Sequence, residues 1–376
     1  MQKSKISYPS TGVNYNIMDP LKKLAQKAGK QTAQNLINFG IKEVEMSRGE
    51  SAYVWEEENS YRALVVEGLG TKNLVADEMA KITGKTYYNT IAQDTIAMIV
   101  NDIITVGALP QILNAYFASG GPDWFKDTKR SSALIEGWAK ACEMAGVTWG
   151  GGETPALTGI INPQTIDLAG ACIGIIKPKE RLMLGNKLQD GDAILLIESS
   201  GIHANGLSLA RAVADKLPER YMTKLSNGTL YGDALLAPTY IYVNLVKGLF
   251  DGGVDIHYMV NITGHGFRKL MRANREFSYV INELPDPQPI FKFLQQQSES
   301  SDKDMYGNFN MGVGFAIYLP AQQVEKAKEI AKQHNLKSWN AGIIQTGPKQ
   351  VVIRQASCSA IKPKNITFQA ETLDIR

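Results

Sequence analysis

The chain has 376 residues, of which 44% are hydrophobic and 20% charged, so it can bury a sizeable core in two domains or one large two-layer unit. Its net charge of +3 gives no support for nucleic acid as the main partner. No apolar run reaches the ~18 residues of a membrane span, and the N-terminus lacks the apolar stretch of a signal peptide. The three cysteines, Cys142, Cys172 and Cys358, are far apart and odd in number, which indicates reduced thiols in a cytoplasmic protein that crosses no membrane.

The first elements are a helix, a strand and a second helix. Residues 1–60 are loosely patterned, and we predict a short amphipathic helix that begins after Pro20. Residues 61–66 predict a strand that ends in a glycine-rich turn. Residues 91–107 have the pattern of a strongly apolar helix that Gly107 closes.

The middle of the chain continues with a strand over residues 110–118 and a helix over residues 130–145, which a glycine stops. Residues 176–192 are polar and rich in turn formers, and they follow a strand-like apolar run. We therefore place a domain boundary here, with an N-terminal ATP-binding and dimerisation domain over residues 1–176 and a C-terminal domain over residues 177–376.

The second half alternates strands and helices. The patterns predict a short buried strand over 193–197, a helix over 207–217, a helix over about 238–250, a strand over 311–319 and a helix over 321–334. This alternation indicates an α/β or α+β fold in which glycine-rich turns collect at the ends of elements.

Four acidic residues form the first group with chemical potential. Glu67 closes a strand, Asp94 and Asp102 interrupt an apolar helix, and Glu153 lies in a glycine-rich turn. Asn101 lies seven residues after Asp94 and so falls on nearly the same helix face. Buried carboxylates need partners, and Mg²⁺ carried by a nucleotide is a suitable one. Taken singly, Asp94 could instead cap its helix and Asp102 could form a salt bridge, but the set favours metal binding.

Two further groups are glycine turns and one polar loop. The glycines allow close approach of a ligand, and Lys72 follows the first turn, although neither a P-loop nor a dinucleotide motif is present. The turns contain Gly68 and Gly70, Gly150–Gly152, and Gly264 and Gly266. The loop Ser199–Gly206 lies between a strand and a helix, and its His203 could protonate or orient a reacting group, or simply bond to a neighbouring backbone. No G-x-S-x-G motif is present, which disfavours a serine hydrolase.

Seven segments, in this order, resemble motifs of the phosphoribosylformylglycinamidine cyclo-ligase family, also called AIR synthetases. The resemblance extends from about Gly12 to about Gly347. The last three segments favour this family over selenophosphate synthetases, thiamine-phosphate kinases and hydrogenase-maturation dehydratases, which share only the ATP site. The segments are Val66–Lys72, Asp94–Asp102, Gly151–Thr154, Ser199–Gly206, Leu235–Val243, Thr263–Phe267 and Phe309–Gly314.

The resemblance implies a two-domain α+β protein with an N-terminal mixed-sheet domain that pairs in a homodimer and a C-terminal α/β sandwich domain. It implies ATP and Mg²⁺ as cofactors and a small ribonucleotide as substrate. ATP would phosphorylate the formyl amide oxygen of formylglycinamidine ribonucleotide. The amidine nitrogen would then attack the activated carbon, and phosphate would leave as aminoimidazole ribonucleotide forms.

The resemblance also implies roles for individual residues. Catalysis falls to Lys72, Asp94 and His203. Metal binding falls to Glu67, Asp94, Asp102 and Glu153. ATP binding falls to Gly68, Gly70, Thr71, Lys72, Asn101, Gly151, Gly152 and Thr154. Substrate binding falls to Ser200, His203, Asn205, Gly264 and Gly266.

The chain departs from the family pattern near these ligands. Glu67 stands where the family usually has aspartate, and His265 stands where it has glycine. Residues 47–58 replace a segment rich in glycine and phenylalanine, and residues 155–158 lose a carboxylate. These departures keep two alternatives open. One is a divergent paralogue that phosphorylates a different amide, carboxylate or phosphate acceptor, and the other is a non-catalytic nucleotide-binding regulator.

Overall fold

The computed structural model describes residue 12, residues 15–354 and residues 365–373, so Cys358 lies outside the described residues. Two sheets organise the chain, one built from residues 42–176 and the other from residues 193–369. Cys142 and Cys172 are buried free thiols, as the sequence predicts. In the described ranges no helix combines the length and the apolar character that crossing a bilayer requires.

The N-terminal sheet has six strands in the order β1-β2-β3-β6-β4-β5. Its strands pair antiparallel except β4 and β5, which are parallel, so the sheet is mixed as predicted. The elements of this part are α1 (Tyr15–Lys30), β1 (Lys42–Glu43), β2 (Tyr53–Glu56), β3 (Tyr61–Gly68), α2 (Lys72–Thr83), α3 (Tyr88–Ile103), β4 (Leu109–Ser119), α4 (Asp123–Lys126), α5 (Thr128–Ala145), β5 (Thr148–Glu153) and β6 (Ile166–Ile176).

Helix α3 packs on one face of this sheet and is buried along most of its length. Two glycines of β6 permit the close approach. A Cβ at Gly170 would lie 2.8 Å from the Ile99 side chain, and one at Gly174 would lie 3.1 Å from the Ile103 side chain. Side chains alternate along a strand, so Ala63, Val65 and Glu67 of β3 all point to the same face of the sheet. This is the face on which α3 packs. The sheet thereby directs a carboxylate towards a buried helix.

The C-terminal sheet has seven strands in the order β13-β12-β9-β11-β7-β10-β8, and only the β12–β9 pair is parallel. Its central strands are buried on both faces because helices cover them. The elements are β7 (Ala193–Glu198), α6 (Leu207–Ala214), α7 (Tyr231–Leu235), α8 (Val243–Asp251), β8 (Tyr258–Asn261), β9 (Phe277–Ile281), α9 (Pro289–Ser298), α10 (Asp302–Asn308), β10 (Val313–Leu319), α11 (Val324–Gln333), β11 (Ser338–Thr346), β12 (Gln350–Ile353) and β13 (Ile366–Gln369).

The helix predicted over 238–250 is wrong at its start, because α8 begins only at Val243. The residues before it bond to side chains of α3 instead of forming a helical turn. Asn101 donates from Nδ2 to the Tyr240 carbonyl at 2.7 Å and accepts the Tyr242 N–H on Oδ1 at 2.9 Å. The amide therefore satisfies backbone groups that would otherwise require a helix.

Other boundaries shift as well: α6 ends at Ala214 rather than at residue 217, and α11 begins at Val324, after a 3₁₀ turn, rather than at residue 321. The first helix starts at Tyr15, and Pro20 lies inside it rather than before it. The strand predicted from residue 311 begins at Val313, because Gly312 and the residue before it have positive φ angles. Helix α3 ends at Ile103, and a 3₁₀ turn continues to Gly107, whose φ of 87° ends the segment. The predicted domain boundary at 176/177 falls between the two sheets and stays a prediction.

Candidate active site

A cavity of about 410 Å³ lies where α1, the end of β3 and the C-terminal half of α3 meet loops of the C-terminal sheet. Four residues predicted from sequence line it, namely Glu67, Asp102, Asn205 and Gly264. They come from four segments that are distant in the chain, so the fold brings them together. The other lining residues are Lys22, Gln26, Gly49, Glu50, Ser51, Met98, Thr263, His265, Lys269, Arg272 and Leu373.

The acidic side of the cavity consists of Glu67 and Asp102. Burial, and then the nearby charge of Asp102, raises the pKa of Glu67 to about 7. Asp102 accepts a hydrogen bond on Oδ1 from Asn261 Nδ2 at 2.7 Å, which fixes its orientation without neutralising it. Two carboxyl groups that line one cavity are suited to share a cation.

The basic side of the cavity consists of Lys269 and Arg272, neither of which the motifs identify, and their charges act on Glu67 to oppose the rise in its pKa. Lys269 belongs to the 3₁₀ segment Gly266–Met271 and Arg272 is its C-cap, and a spacing of three residues places them on the same side of such a helix. Burial lowers the pKa of Lys269, whose Nζ donates to the Thr263 hydroxyl. Arg272 donates to the Gly49 carbonyl at 3.0 and 3.2 Å. Arg272 Nε also lies 3.7 Å from Glu50 Oε2, and with Lys269 it supplies positive charge to the cavity.

His265 also lines the cavity, at the position where the sequence departs from the family pattern. Burial, and then the positive charge of Lys269, lowers the pKa of His265 to about 2. The imidazole is therefore neutral at physiological pH. Its Nε2 lies 3.8 Å from Asp19 Oδ2 of α1, so this side chain contacts the helix that closes the cavity.

Lys72 and Asp94 form an ion pair that is fully enclosed beside the cavity and not exposed in it. Lys72 Nζ lies 2.7 Å from Asp94 Oδ1 and also donates to the Ala237 carbonyl at 2.7 Å. Thr239 donates to the same carboxyl oxygen from its backbone N–H at 2.8 Å and from its hydroxyl at 2.5 Å. Burial raises the pKa of Asp94 and lowers the pKa of Lys72, and their attraction opposes both shifts. The pair thus joins the two parts of the chain.

The loop Ser199–Gly206 is buried at the same contact between the two parts of the chain. His203 has a φ of 60° and accepts the Ser200 N–H on Nε2 at 3.3 Å. Burial, and then the charge of Lys72, lowers the pKa of His203 to about 3, so the ring is neutral and cannot protonate a substrate from this position. Ser200 donates its hydroxyl to the Pro238 carbonyl at 2.6 Å, and Asn205 Nδ2 lies 3.7 Å from the Met98 sulfur.

The remaining glycine turns are predicted to bind nucleotide, or substrate in the case of Gly266. Thr71 is the N-cap of α2, and Gly70, with a φ of 77°, makes the turn before it. At Gly266 a Cβ would lie 2.3 Å from the Tyr306 carbonyl, so glycine is required there by packing. Gly152 has a similar reason, since its Cβ would lie 2.2 Å from the Ala115 carbonyl of β4. Close backbone packing, against helix α10 at Gly266 and against strand β4 at Gly152, therefore explains these last two glycines without a ligand.

The four predicted metal ligands are not gathered in one place within the chain. Glu67 and Asp102 share the cavity, Asp94 pairs with Lys72, and Glu153 is exposed on the edge strand β5, where its Oε1 accepts the Thr154 N–H. Across the described ranges, no three histidine, cysteine or acidic side chains converge closely enough to hold a metal ion. The role of Glu153 stays a prediction, as do the roles of Gly68, Gly151 and Thr154.

Comparison with known families accounts for both parts of the chain. The family "AIR synthase related protein, N-terminal domain" matches residues 49–176, and its C-terminal domain counterpart matches residues 189–355. A phosphoribosylformylglycinamidine cyclo-ligase from Methanococcus maripaludis is 36% identical over 309 residues, which cover 82% of this chain and 84% of that protein. One from Methanothermobacter thermautotrophicus is 40% identical over 272 residues, covering 71% and 76%.

Solved structures share the fold at low sequence identity. The HypE–HypF complex superposes with a TM-score of 0.59 at 19% identity and covers 85% of this chain and 92% of that one. AaThiL complexed with AMPPCP and TMP gives 0.55 at 15% identity, covering 85% and 91%. HypE in complex with ATP gives 0.55 at 18% identity, covering 76% and 81%. These likenesses establish the two-domain α+β architecture.

Proposed function

The chain belongs to the phosphoribosylformylglycinamidine cyclo-ligase family, and on that premise we propose how its cavity carries out the family reaction. The protein is an ATP-dependent ligase of purine biosynthesis that closes formylglycinamidine ribonucleotide to aminoimidazole ribonucleotide and releases ADP and phosphate. The observation that carries this assignment is the cavity that Glu67 and Asp102 line together with Lys269 and Arg272. We place the reaction in the cytoplasm.

The acidic side of the cavity fits Mg²⁺ carried by ATP. Mg²⁺ is usually held by one or two carboxylates together with water and phosphate oxygens, and Glu67 with Asp102 meets that requirement. Burial, and then the charge of Asp102, raises the pKa of Glu67, and a bound cation would favour the ionised carboxylate. When bound, the ion would neutralise charge on the ATP phosphates.

The basic side suits the 5′-phosphate of the ribonucleotide. Lys269 and Arg272 project from the segment that follows the Thr263–Phe267 turn, and Gly264 of that turn lines the cavity. Arginine and lysine bind phosphate through charge-assisted hydrogen bonds. Holding this end of the substrate would place its formylglycinamidine portion towards Asn205, where the amidine nitrogen and the activated carbon must be kept close.

Lys72 remains our predicted contact to the transferred phosphoryl group, with Asp94 as its partner. Both side chains are enclosed because the backbone of Ala237 and the Thr239 side chain and N–H cover them. Lys72 can reach a phosphate only if this segment moves away. His203, which is neutral here, would act as a hydrogen-bonding group towards substrate in the same rearrangement.

An exposed apolar face on the N-terminal sheet supports a homodimer. Leu64, Ile173 and Ile112 lie in one row across β3, β6 and β4, and Val66 lies beside them on the same face. Their exposed fractions are 36%, 38%, 50% and 68% in that order. A contiguous apolar patch of this kind marks a protein interface. The same sheet carries Glu153 at its edge, which we propose as a further metal ligand.

The assignment is tested by following product formation with formylglycinamidine ribonucleotide, ATP and Mg²⁺. We expect aminoimidazole ribonucleotide and ADP in equal amounts, and no ADP when the ribonucleotide or Mg²⁺ is omitted. Asp102→Asn should lose at least a hundredfold in turnover, whereas the surface control Lys140→Gln should keep it. Nucleotide binding without any turnover by the folded protein would support a regulator instead, and ADP release with another acceptor would support a different substrate.

A further inference from the structure

A second and larger cavity, of about 630 Å³, lies between the two domains and shares no lining residue with the candidate active site. On one side it is bounded by α2, the start of α3 and the start of α5. On the other side it is bounded by Arg211 of α6 and by Arg220 and Tyr221 after it. Its volume is within the range of pockets that hold small metabolites. Nothing in the proposed reaction uses it.

The charges around this cavity do not balance. Six lysine or arginine side chains and four acidic side chains line it. Each acid already pairs with a lining cation. Glu78 pairs with Lys81 and Arg220, Asp215 with Arg220, and both Asp77 and Asp127 with Arg130.

Three cations are left over, and they lie on both domains. Among the described residues, Lys129 Nζ donates only to the Gly84 carbonyl, at 2.8 Å. Lys85 and Arg211 have no acidic partner among the described residues. A concave surface with unbalanced cations concentrates positive potential and attracts anions.

Arg130 gives the cavity a fixed base. Its guanidinium lies 4.5 Å from the centre of the Trp124 ring and 5.9 Å from that of Tyr88, which restrains its orientation. Its ion pairs to Asp77 and Asp127 are long, at 3.4 and 3.7 Å. Its buried Nε has no hydrogen-bond acceptor in the described chain. The base of the cavity therefore retains hydrogen-bonding capacity that its own acids do not use.

We propose that this cleft binds a small anion with a diphosphate group, held by Lys85 and Lys129 of one domain and Arg211 of the other. Such a ligand bridges the domains through two helices that also lead to the candidate active site. Helix α2 begins at Lys72 and, with 12 residues, extends about 18 Å towards this cleft. Helix α6 follows the loop that contains His203 and carries Arg211 in its second turn. The inference is independent of the identity of the reaction.

The test is calorimetric titration of the full chain with inorganic pyrophosphate in the absence of ATP. We expect saturable binding that weakens at least tenfold in Lys85→Gln/Arg211→Gln. The control Lys140→Gln/Lys292→Gln removes the same charge from exposed positions outside the cavity and should keep the wild-type affinity. The single variants Lys85→Gln and Arg211→Gln, each expected to weaken binding at least threefold, give the same answer if the double variant fails to fold.

Two results would overturn the proposal. The first is pyrophosphate binding of equal strength in the wild type and in Lys85→Gln/Arg211→Gln. The second is loss of binding in Lys269→Gln alone, which would place the anion in the candidate active site. The same titration with ADP separates two sources of the diphosphate. If the component that depends on Lys85 and Arg211 is tighter for ADP, the ligand is a nucleotide, and equal affinity indicates recognition of the diphosphate itself.

Discussion

Substitution of Asp94 by asparagine is the sharpest test of the seam between the two domains. One carboxyl oxygen, Oδ1, lies 2.7 Å from Lys72 Nζ and accepts both the N–H and the hydroxyl of Thr239. Neither side chain of the ion pair is exposed to solvent. Asp94→Asn keeps the shape and an acceptor for Thr239, but it leaves a buried ammonium group without its counter-charge.

The expected cost follows from that uncompensated charge. Removing one partner of a buried ion pair typically destabilises a protein by about 3–5 kcal/mol, because the remaining charge stays out of water. We expect Asp94→Asn to fall in this range. Lys72→Met/Asp94→Asn should cost less than Asp94→Asn alone, because methionine fills a similar volume without a charge. A favourable coupling between the two positions is therefore predicted.

Urea denaturation followed by circular dichroism measures these differences for the wild type, Lys72→Met, Asp94→Asn and the double variant. Thr239→Val serves as a matched control, since it removes only the hydroxyl donor and should cost about 1 kcal/mol. A loss below about 1 kcal/mol for Asp94→Asn, or strictly additive effects in the double variant, would refute the account of a buried, charged pair.

Three further predictions concern pH and assembly. Mg²⁺–ATP should bind more tightly as the pH rises from about 6 to about 8, because a proton must leave Glu67, whose pKa is raised to about 7. Calorimetric titrations should show this trend in the wild type and no such trend in Glu67→Gln. Hydrogen bonding to Asp192 raises the pKa of His257 in the folded protein. Protonated His257 therefore stabilises the fold fully below the ordinary pKa of 6.5, and this stabilisation is lost as the pH rises through the higher pKa of the folded state. The difference in urea midpoint between the wild type and His257→Gln should accordingly shrink on going from acid to alkaline pH, and a constant difference would contradict this. Val66→Glu on the exposed sheet face should convert a dimer into a monomer in light scattering, whereas Ile160→Glu, at a position that is 80% exposed outside the sheet, should not.

Much of the fold follows from local patterns in the sequence. The strand that begins at residue 61 and the helix ending at Gly146 were predictable because apolar periodicity and a glycine stop agree there. Gly146 has a φ of 63°, which is the left-handed conformation that a helix-terminating glycine adopts. The same reasoning fails before Val243, because Asn101 and Asp94 bind that backbone from a distance of about 140 residues in the chain.

The candidate site was predictable only in part. Glu67, Asp102 and Asn205 stand in recognisable motifs, and the structure places all three around one cavity. Lys269 and Arg272 were missed because cations three residues apart are common on solvated surfaces, and their burial depends on packing that no local pattern encodes.

The enclosed state of Lys72 was equally unpredictable. Its position directly after a glycine turn suggests an accessible phosphate contact. Its ammonium group instead donates hydrogen bonds to the Ala237 carbonyl and the Asp94 carboxylate. Asp94 comes from the neighbouring helix α3 and Ala237 from the C-terminal part of the chain, so tertiary packing brings both within 2.7 Å. Sequence identified the residue, whereas tertiary structure decides what it contacts.

A crystal structure with a non-hydrolysable ATP analogue and Mg²⁺ tests the central claim most directly. We predict that the ion and the phosphates occupy the smaller cavity, with Glu67 and Asp102 beside the ion and Lys269 beside a phosphate. A nucleotide bound at another place, with both carboxylates remote from any ion or phosphate, would contradict the assignment of this cavity as the active site.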